Sequence, residues 1–149
     1  MDRWRDRGLA REWLEQYPQL FDEVDLGLTR TQPWLHFWEW YAAIHILERD
    51  GAYSLVEKYD CPKSHPAKAA RLASIVSEGQ LHFINTFLDR HGVQVPDLFI
   101  YMPGTHRFWF AEVKGPTDRV SAKQAASHEA IRRELGVPVE VLRFTLTDD

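Results

Sequence analysis

Two strand-like runs separated by a Pro-Gly turn constrain the fold of this chain more than any other feature. Residues 96–102 (PDLFIYM) and 107–114 (RFWFAEVK) are rich in the aromatic and branched apolar side chains that favour β-strands. Pro103 and Gly104, which lie between the runs, are typical turn residues. The pattern predicts two adjacent antiparallel strands, on each of which side chains two positions apart share a face.

Helical and strand-like segments flank this hairpin on both sides. Gly51, Gly92 and Gly136 are predicted helix ends, Ser121 is a predicted N-cap, and Gly79 is a potential helix break. In chain order the segments are a helix over 8–17, an irregular stretch over 18–32, a helix over 33–50, a strand over 52–59, a helix over 66–91, the two strands above, a helix over 121–135 and a strand over 138–144. This order indicates an α/β domain with a mixed sheet flanked by helices.

Composition is that of one ordinary globular domain. The 149 residues are 44% hydrophobic and 27% charged, and no apolar run reaches the roughly 18 residues of a membrane span. The N-terminus leads into no apolar signal segment, and the single cysteine fits a reducing cytosol, so we expect a cytoplasmic protein without membrane contact. Residues 1–60 hold 7 Lys/Arg and 12 Asp/Glu, whereas residues 61–149 hold 11 and 10. Contacts with a polyanion are therefore expected mainly from the C-terminal part.

Two carboxylates and a lysine are predicted to meet at one end of the hairpin. Glu112 and Lys114 point to the same side of their strand, and Asp97 begins the preceding strand. Counted from the turn, Asp97 and Glu112 should be near neighbours. Carboxylate oxygens suit Mg²⁺, with the Val113 carbonyl as a further ligand, and the lysine suits the orientation of water or stabilisation of charge. The group therefore predicts phosphodiester hydrolysis.

Each part of this group has an ordinary alternative explanation. Glu-x-Lys triplets are common, Pro-Asp pairs usually mark turns, and Glu–Lys pairs at a sheet edge are usually solvated ion pairs. The combination on two adjacent strands followed by a helix is far more specific than any of its parts.

The C-terminal half of the chain resembles the VRR-NUC domain, the virus-type replication-repair nuclease module of the PD-(D/E)xK superfamily, which is also found at the C-terminus of the Fanconi-associated nuclease. The resemblance covers about residues 80–144. The matching motif residues are Pro96-Asp97, Glu112-Val113-Lys114-Gly115-Pro116, Asp118-Arg119, Ser121 and Lys123-Gln124. The resemblance implies a restriction-endonuclease-like core.

The resemblance implies roles in catalysis for four residues. It implies that Asp97 and Glu112 bind metal, that Lys114 is the catalytic lysine and that Gln124 supports the site from the following helix. An alternative for Gln124 is a capping box with Ser121, and the two roles are compatible.

The family also has a metal-facing glutamate on an early helix, for which Glu39 is our choice. It lies within the aromatic stretch WLHFWEWY, where a charged side chain needs a reason. Glu48 and Glu57 are the rivals, the first near the predicted helix end and the second on the predicted strand.

Other polar side chains near the motifs have weaker assignments. Arg119 and Lys123 are candidate DNA-phosphate contacts, with surface solubility as the alternative. The seven histidines lack zinc-ligand spacing and are interpreted as surface or structural residues. His128, one turn beyond Gln124, is within reach of the site.

The function implied by the resemblance is Mg²⁺- or Mn²⁺-dependent DNA endonuclease activity. The expected substrate is branched or flapped DNA or a Holliday junction, in DNA repair or recombination, with a homodimer as a possible assembly. The whole chain is interpreted as one domain, with an N-terminal helical extension (1–30) and a nuclease core (31–144) that contains a helical insertion at about 64–92. The alternatives are a sequence-reading restriction or transposon-type nuclease, a phage-defence nuclease, and a non-catalytic DNA-binding module.

Overall fold

A four-stranded mixed sheet forms the centre of the protein in a computed structural model that describes residues 2–5, 8–32 and 36–145. The strands lie in the order β1 (Tyr53–Val56), β2 (Leu98–Tyr101), β3 (Phe108–Lys114) and β4 (Val139–Arg143). The first three are mutually antiparallel and β4 is parallel to β3. The predicted α/β class with a mixed sheet is therefore confirmed.

Helices cover both faces of this sheet, because the strands carry apolar side chains on both faces. Within the described residues they are α1 (Asp2–Arg5), α2 (Gly8–Gln16), α3 (Glu23–Thr31), α4 (Phe37–Asp50), α5 (Pro66–Ile75), α6 (Glu78–Asn85), α7 (Phe87–His91) and α8 (Ala122–Leu135). One core cluster joins Leu98, Ile100 and Ala111 to the N-terminal helices and α4. The other joins Phe99 and Phe110 to the C-terminal helices. None of the described helices is both long and apolar enough to cross a membrane.

The prediction of an irregular stretch over 18–32 is wrong, because α3 lies within it. Asp22 and Asp25 form a reciprocal capping box: the Asp25 N–H donates to Asp22 Oδ1 at 2.9 Å, and the Asp22 N–H donates to Asp25 Oδ2 at 3.0 Å. Such a box satisfies two N–H groups at a helix start. The Asp-x-x-Asp spacing was a sequence signal for this helix.

The single long helix predicted over 66–91 is also wrong, since three helices occupy this range. The first break lies at Val76 and Ser77, where Ser77 and Gln80 form a second capping box. Gly79, the residue suspected of breaking the helix, lies inside α6. The Ser-x-x-Gln signal therefore outweighed the continuous apolar stripe.

Two further boundaries differ from prediction near the sheet edge. The first strand ends at Val56, and Glu57 and Lys58 have positive φ angles of 50° and 54°. Glu57 is thus on a turn and not on the predicted strand. Helix α4 begins at Phe37, and it ends before Gly51, as predicted. The predicted helix start at Pro33 lies outside the described residues.

Candidate active site

The register of β2 and β3 brings Asp97 beside Glu112. Leu98 pairs with Ala111 in the antiparallel ladder, so the next residue outward on each strand forms the following pair. The Val113 N–H donates to Asp97 Oδ2 at 2.8 Å, which fixes the carboxylate against the neighbouring strand. Counting from the predicted hairpin turn had placed these two residues together, and the structure has them in this arrangement.

Glu112, Lys114 and Gln124 form one hydrogen-bonded group. Gln124 Nε2 donates to Glu112 Oε1 at 3.0 Å, and Lys114 Nζ donates to Gln124 Oε1 at 3.2 Å. Lys114 Nζ also lies 3.4 Å from Glu112 Oε1. Glu112 and Lys114 are both buried, so these contacts lie in a medium where charge interactions are strong.

The N-terminus of α8 holds Gln124 in place. The Gln124 N–H donates to Ser121 Oγ at 3.1 Å, and the Ser121 N–H donates to Gln124 Oε1 at 3.1 Å. Both interpretations of Gln124 therefore coexist in the structure: its oxygen closes a capping box while its amide nitrogen reaches Glu112. The helix start thus restricts the side chain that contacts the carboxylate.

His128 is a site neighbour to which sequence analysis gave little weight. Its Nε2 atom lies 3.6 Å from Glu112 Oε2, and the side chain is buried. Its position four residues after Gln124, on the same face of α8, was the signal for this placement. Glu112 therefore has a polar neighbour at each of its two carboxylate oxygens.

Glu39 lies in the first turn of α4 and joins the acidic group. Burial, followed by repulsion from Glu57, raises the pKa of Glu39 to about 7. Burial and the charges of Glu112 and Glu39 raise the pKa of Asp97 well above its ordinary value, although the Val113 N–H opposes this shift. The effect of the Glu39 charge on the pKa of Asp97 indicates that Glu39 lies within electrostatic reach of Asp97.

The two rival glutamates have different positions. Glu57 Oε2 lies 2.7 Å from His36 Nδ1, and ligand atoms of His36, Glu39 and Glu57 lie within 4.8 Å of one another. Burial opposes protonation of His36, but the hydrogen bond and charge of Glu57 outweigh it and raise the His36 pKa. Glu48 is exposed nine residues after Glu39 on α4, about 14 Å along the helix axis. Glu39 and Glu57 are therefore both near the site, and Glu48 is not.

The residues present fit a divalent cation. Asp97, Glu112 and Glu39 supply carboxylate oxygens. Burial first and repulsion between carboxylates second raise the pKa values of Asp97 and Glu39, and a cation would offset both effects. Oxygen donors match Mg²⁺ and Mn²⁺, and His36 adds a nitrogen donor nearby. The role predicted for the Val113 carbonyl stays a prediction.

A cleft gives solvent and substrate access to the carboxylates. It has a volume of about 550 Å³, and its lining includes Asp97, Glu112, Ser121 and Gln124. Arg119 and Lys123 are both exposed, the first on the loop that follows β3 and the second in the first turn of α8. Their positions leave both side chains accessible to a DNA backbone, and their predicted phosphate contacts stay predictions.

Gly115 allows Trp38 to pack against the loop that leaves the site. A Cβ atom at this position would lie 2.9 Å from Trp38 Nε1 and 3.0 Å from Trp38 Cδ1. Phe144 stacks on the same indole, with ring centroids 5.8 Å apart and an interplanar angle of 5°. The close approach of backbone and indole therefore accounts for glycine directly after Lys114.

Replacing Gly115 by Ala is expected to lower the free energy of unfolding by about 1–3 kcal/mol, because the new methyl group must displace the indole. Urea unfolding checks this value. Gly27→Ala is the matched control, since a Cβ there meets nothing within 4 Å inside α3 and should stabilise by about 0.5–1 kcal/mol. Equal stability of Gly115→Ala and the unmodified protein would contradict the packing argument.

The fold and the site have the motif arrangement that the sequence resemblance implied for a nuclease core of the PD-(D/E)xK type. A Pro-Asp pair opens one strand, a Glu-x-Lys triplet closes its antiparallel neighbour, and a parallel strand follows across a helix. The family model described as "VRR-NUC domain" matches residues 77–145. This match confirms the resemblance to the VRR-NUC domain that the sequence motifs indicated over the C-terminal part of the chain.

Comparison with solved structures gives a more distant similarity. A crystal structure of paFAN1 bound to DNA with a two-nucleotide 5′ flap and a gap shares 20% sequence identity with the chain, at a TM-score of 0.33. The similarity covers 76% of this chain and 25% of that one, so the chain spans about a quarter of its length. No curated protein matches the chain.

Proposed function

We propose that this protein is a Mg²⁺- or Mn²⁺-dependent DNA endonuclease that cuts branched or flapped DNA. The observation that carries the proposal is the hydrogen-bonded group of Glu112, Lys114 and Gln124 beside Asp97. Asp97, Glu112 and Gln124 line an open cleft. The preference for DNA shape follows the VRR-NUC resemblance. It is supported by the lack of a helix-turn-helix or zinc-finger motif in the sequence.

A divalent cation, when bound, supplies Lewis-acid neutralisation of the charge on the scissile phosphate. Asp97, Glu112 and Glu39 are the residues that would hold it. The hydrogen bond from the Val113 N–H occupies Asp97 Oδ2, which orients the carboxylate before any ligand arrives. Such orientation reduces the reorganisation needed during reaction.

Lys114 is positioned to act on the reacting groups. An ammonium group has three N–H donors, and two of them face Gln124 Oε1 and Glu112 Oε1. The third remains for a phosphate oxygen or for the attacking water. Because Lys114 is buried, this donor stabilises developing negative charge more strongly than a solvated lysine would.

Substrate shape is tested with a panel of end-labelled DNAs: linear duplex, single strand, 5′ flap, 3′ flap and four-way junction, each with Mg²⁺ and with Mn²⁺. The proposal expects cutting of at least one branched or flapped DNA at a rate tenfold or more above the linear duplex. Cutting of a linear duplex at one defined position would favour a sequence-reading nuclease instead. DNA binding without cutting would favour a non-catalytic module.

One finer part of the proposal, the homodimer, is tested with the four-way junction. Symmetric cutting of a four-way junction requires two active sites, so the predicted homodimer is tested by the mass of the protein–junction complex. A complex that contains one chain and still cuts both strands symmetrically would contradict the dimer.

A further inference from the structure

Lys68 is a buried lysine in the first turn of α5, far along the chain from the VRR-NUC motifs. It shares a helix face with Leu72 and Ile75, and its exposed fraction is 5%. An ammonium removed from water is costly unless charged and polar partners surround it. Its partners therefore indicate why a lysine occupies this position.

The Lys68 ammonium joins three parts of the fold. It donates to Asp25 Oδ1 on α3, to the Val56 carbonyl at the end of β1, and to the Glu57 carbonyl at 3.2 Å. These three acceptors account for all three of its N–H groups. Two of the three acceptors are backbone carbonyls, that of Val56 at the end of β1 and that of Glu57 in the turn that follows. The contact therefore extends beyond an ion pair with Asp25.

This turn carries an unusual backbone. Glu57 and Lys58 are consecutive non-glycine residues with φ angles of 50° and 54°. Left-handed conformations are unfavourable for L-residues, so the surrounding structure must hold them. Lys68 holds the turn through the Val56 and Glu57 carbonyls, whose positions fix the chain as it leaves the sheet.

The same turn is bonded directly to the candidate active site. The Glu57 N–H donates to the Asp97 carbonyl at 2.8 Å, and the Glu57 side chain contacts His36. Lys68 is therefore separated from Asp97 by a single residue, with its ammonium on the carbonyl of Glu57 and Asp97 on the N–H of Glu57. A shift of the turn would move the acidic side chains of both Glu57 and Asp97.

We propose that Lys68 is a positioning residue: by clamping the Val56 and Glu57 carbonyls, it sets the Glu57 turn and, through it, the Asp97 carboxylate. Asp25 serves as the counter-ion that makes burial of the clamp tolerable. The proposal rests on the proposed function for its catalytic consequence. It also gives the helical segment that precedes the Pro-Asp motif a role, because α5 supplies the clamp.

The competing explanation is that Lys68 and Asp25 form a structural ion pair and nothing more. Such a pair can often be replaced by neutral residues without loss, whereas removal of one partner leaves a costly buried charge. The double variant Asp25→Asn/Lys68→Met separates the two explanations. It removes both charges, and the amide oxygen of the new asparagine side chain keeps an acceptor for the Asp22 N–H.

The experiment compares the unmodified chain, Lys68→Met, the double variant and the control Lys63→Met, which changes an exposed lysine. Three quantities are measured: urea unfolding, Mn²⁺ affinity by calorimetry, and hydrogen exchange of the Glu57 amide. The proposal expects the double variant to be more stable than Lys68→Met. Both variants should bind Mn²⁺ about 10- to 100-fold more weakly and exchange the Glu57 amide at least tenfold faster.

Wild-type Mn²⁺ affinity and Glu57 exchange in the double variant would overturn the proposal, because Lys68 would then only balance Asp25. If Lys68→Met does not fold, the double variant decides alone. A protein that binds Mn²⁺ and cuts no DNA would reject the proposed function and leave the clamp to be judged on affinity. Exchange at Glu57 requires neither cation nor DNA and tests the clamp in every case.

Discussion

Replacing Lys114 by Met is expected to lower the single-turnover rate of DNA cleavage by about 10²–10³-fold, while Mn²⁺ affinity and the fold are retained. The Met side chain keeps the buried stem and removes only the ammonium that contacts Gln124 and Glu112. Loss of one oriented donor at a reacting centre typically has an effect of this size. Quenched-flow cleavage of a labelled flap, with urea unfolding alongside, gives both quantities.

Lys63→Met is the matched control for this prediction, since it makes the same chemical change on an exposed loop residue. Its cleavage rate should stay within twofold of the unmodified protein. A Lys114→Met variant that folds normally and cuts at the wild-type rate would remove Lys114 from the mechanism. Loss of Mn²⁺ affinity together with cleavage would instead assign it a role in organising the carboxylates.

Replacing Glu39 by Gln is expected to stabilise the metal-free protein at pH 8 by up to about 3 kcal/mol. The folded-state pKa of Glu39 is raised to about 7 from 4.5, the value expected for the unfolded chain. The contribution of the protonated Glu39 side chain to the free energy of unfolding is fully present below about pH 4.5 and is lost as the pH rises through 7. Each unit of difference between the folded and unfolded pKa values corresponds to about 1.4 kcal/mol. A neutral amide avoids this loss, so the gain should fall to about 1 kcal/mol at pH 5.

Urea unfolding in EDTA at pH 5 and pH 8 measures this difference. Glu48→Gln, on the exposed end of the same helix, is the control and should change neither value. Mn²⁺ should stabilise the unmodified protein more than Glu39→Gln, because the variant lacks one proposed ligand. Equal pH dependence in Glu39→Gln and the unmodified protein would contradict the burial of a strained carboxylate at this position.

The sequence predicted the parts of the site that depend on local geometry. Strand alternation placed Glu112 and Lys114 on one side, and counting from the turn placed Asp97 beside them. The Ser121–Gln124 box was also visible, since its spacing alone defines it. These features require only a few consecutive residues and one tight turn.

The remaining parts depend on contacts between distant segments. The proximity of Glu39 and Glu57 depends on the packing of α4 against the sheet and on the left-handed turn at Glu57, which no local pattern predicts. Lys68 was missed for a different reason. Its spacing from Leu72 and Ile75 did indicate a buried face, but an isolated lysine on such a face is usually exposed at a helix end.

The central claim is that the carboxylates beside Lys114 catalyse cation-dependent cleavage of DNA. The most direct test is single-turnover cleavage of a labelled 5′ flap by the unmodified protein and by Glu112→Gln, each with Mn²⁺ and with EDTA. We expect cutting by the unmodified protein with Mn²⁺, none with EDTA, and at least about a thousandfold slower cutting by folded Glu112→Gln. Cutting that persists in EDTA, or that Glu112→Gln leaves unchanged, would contradict the central claim.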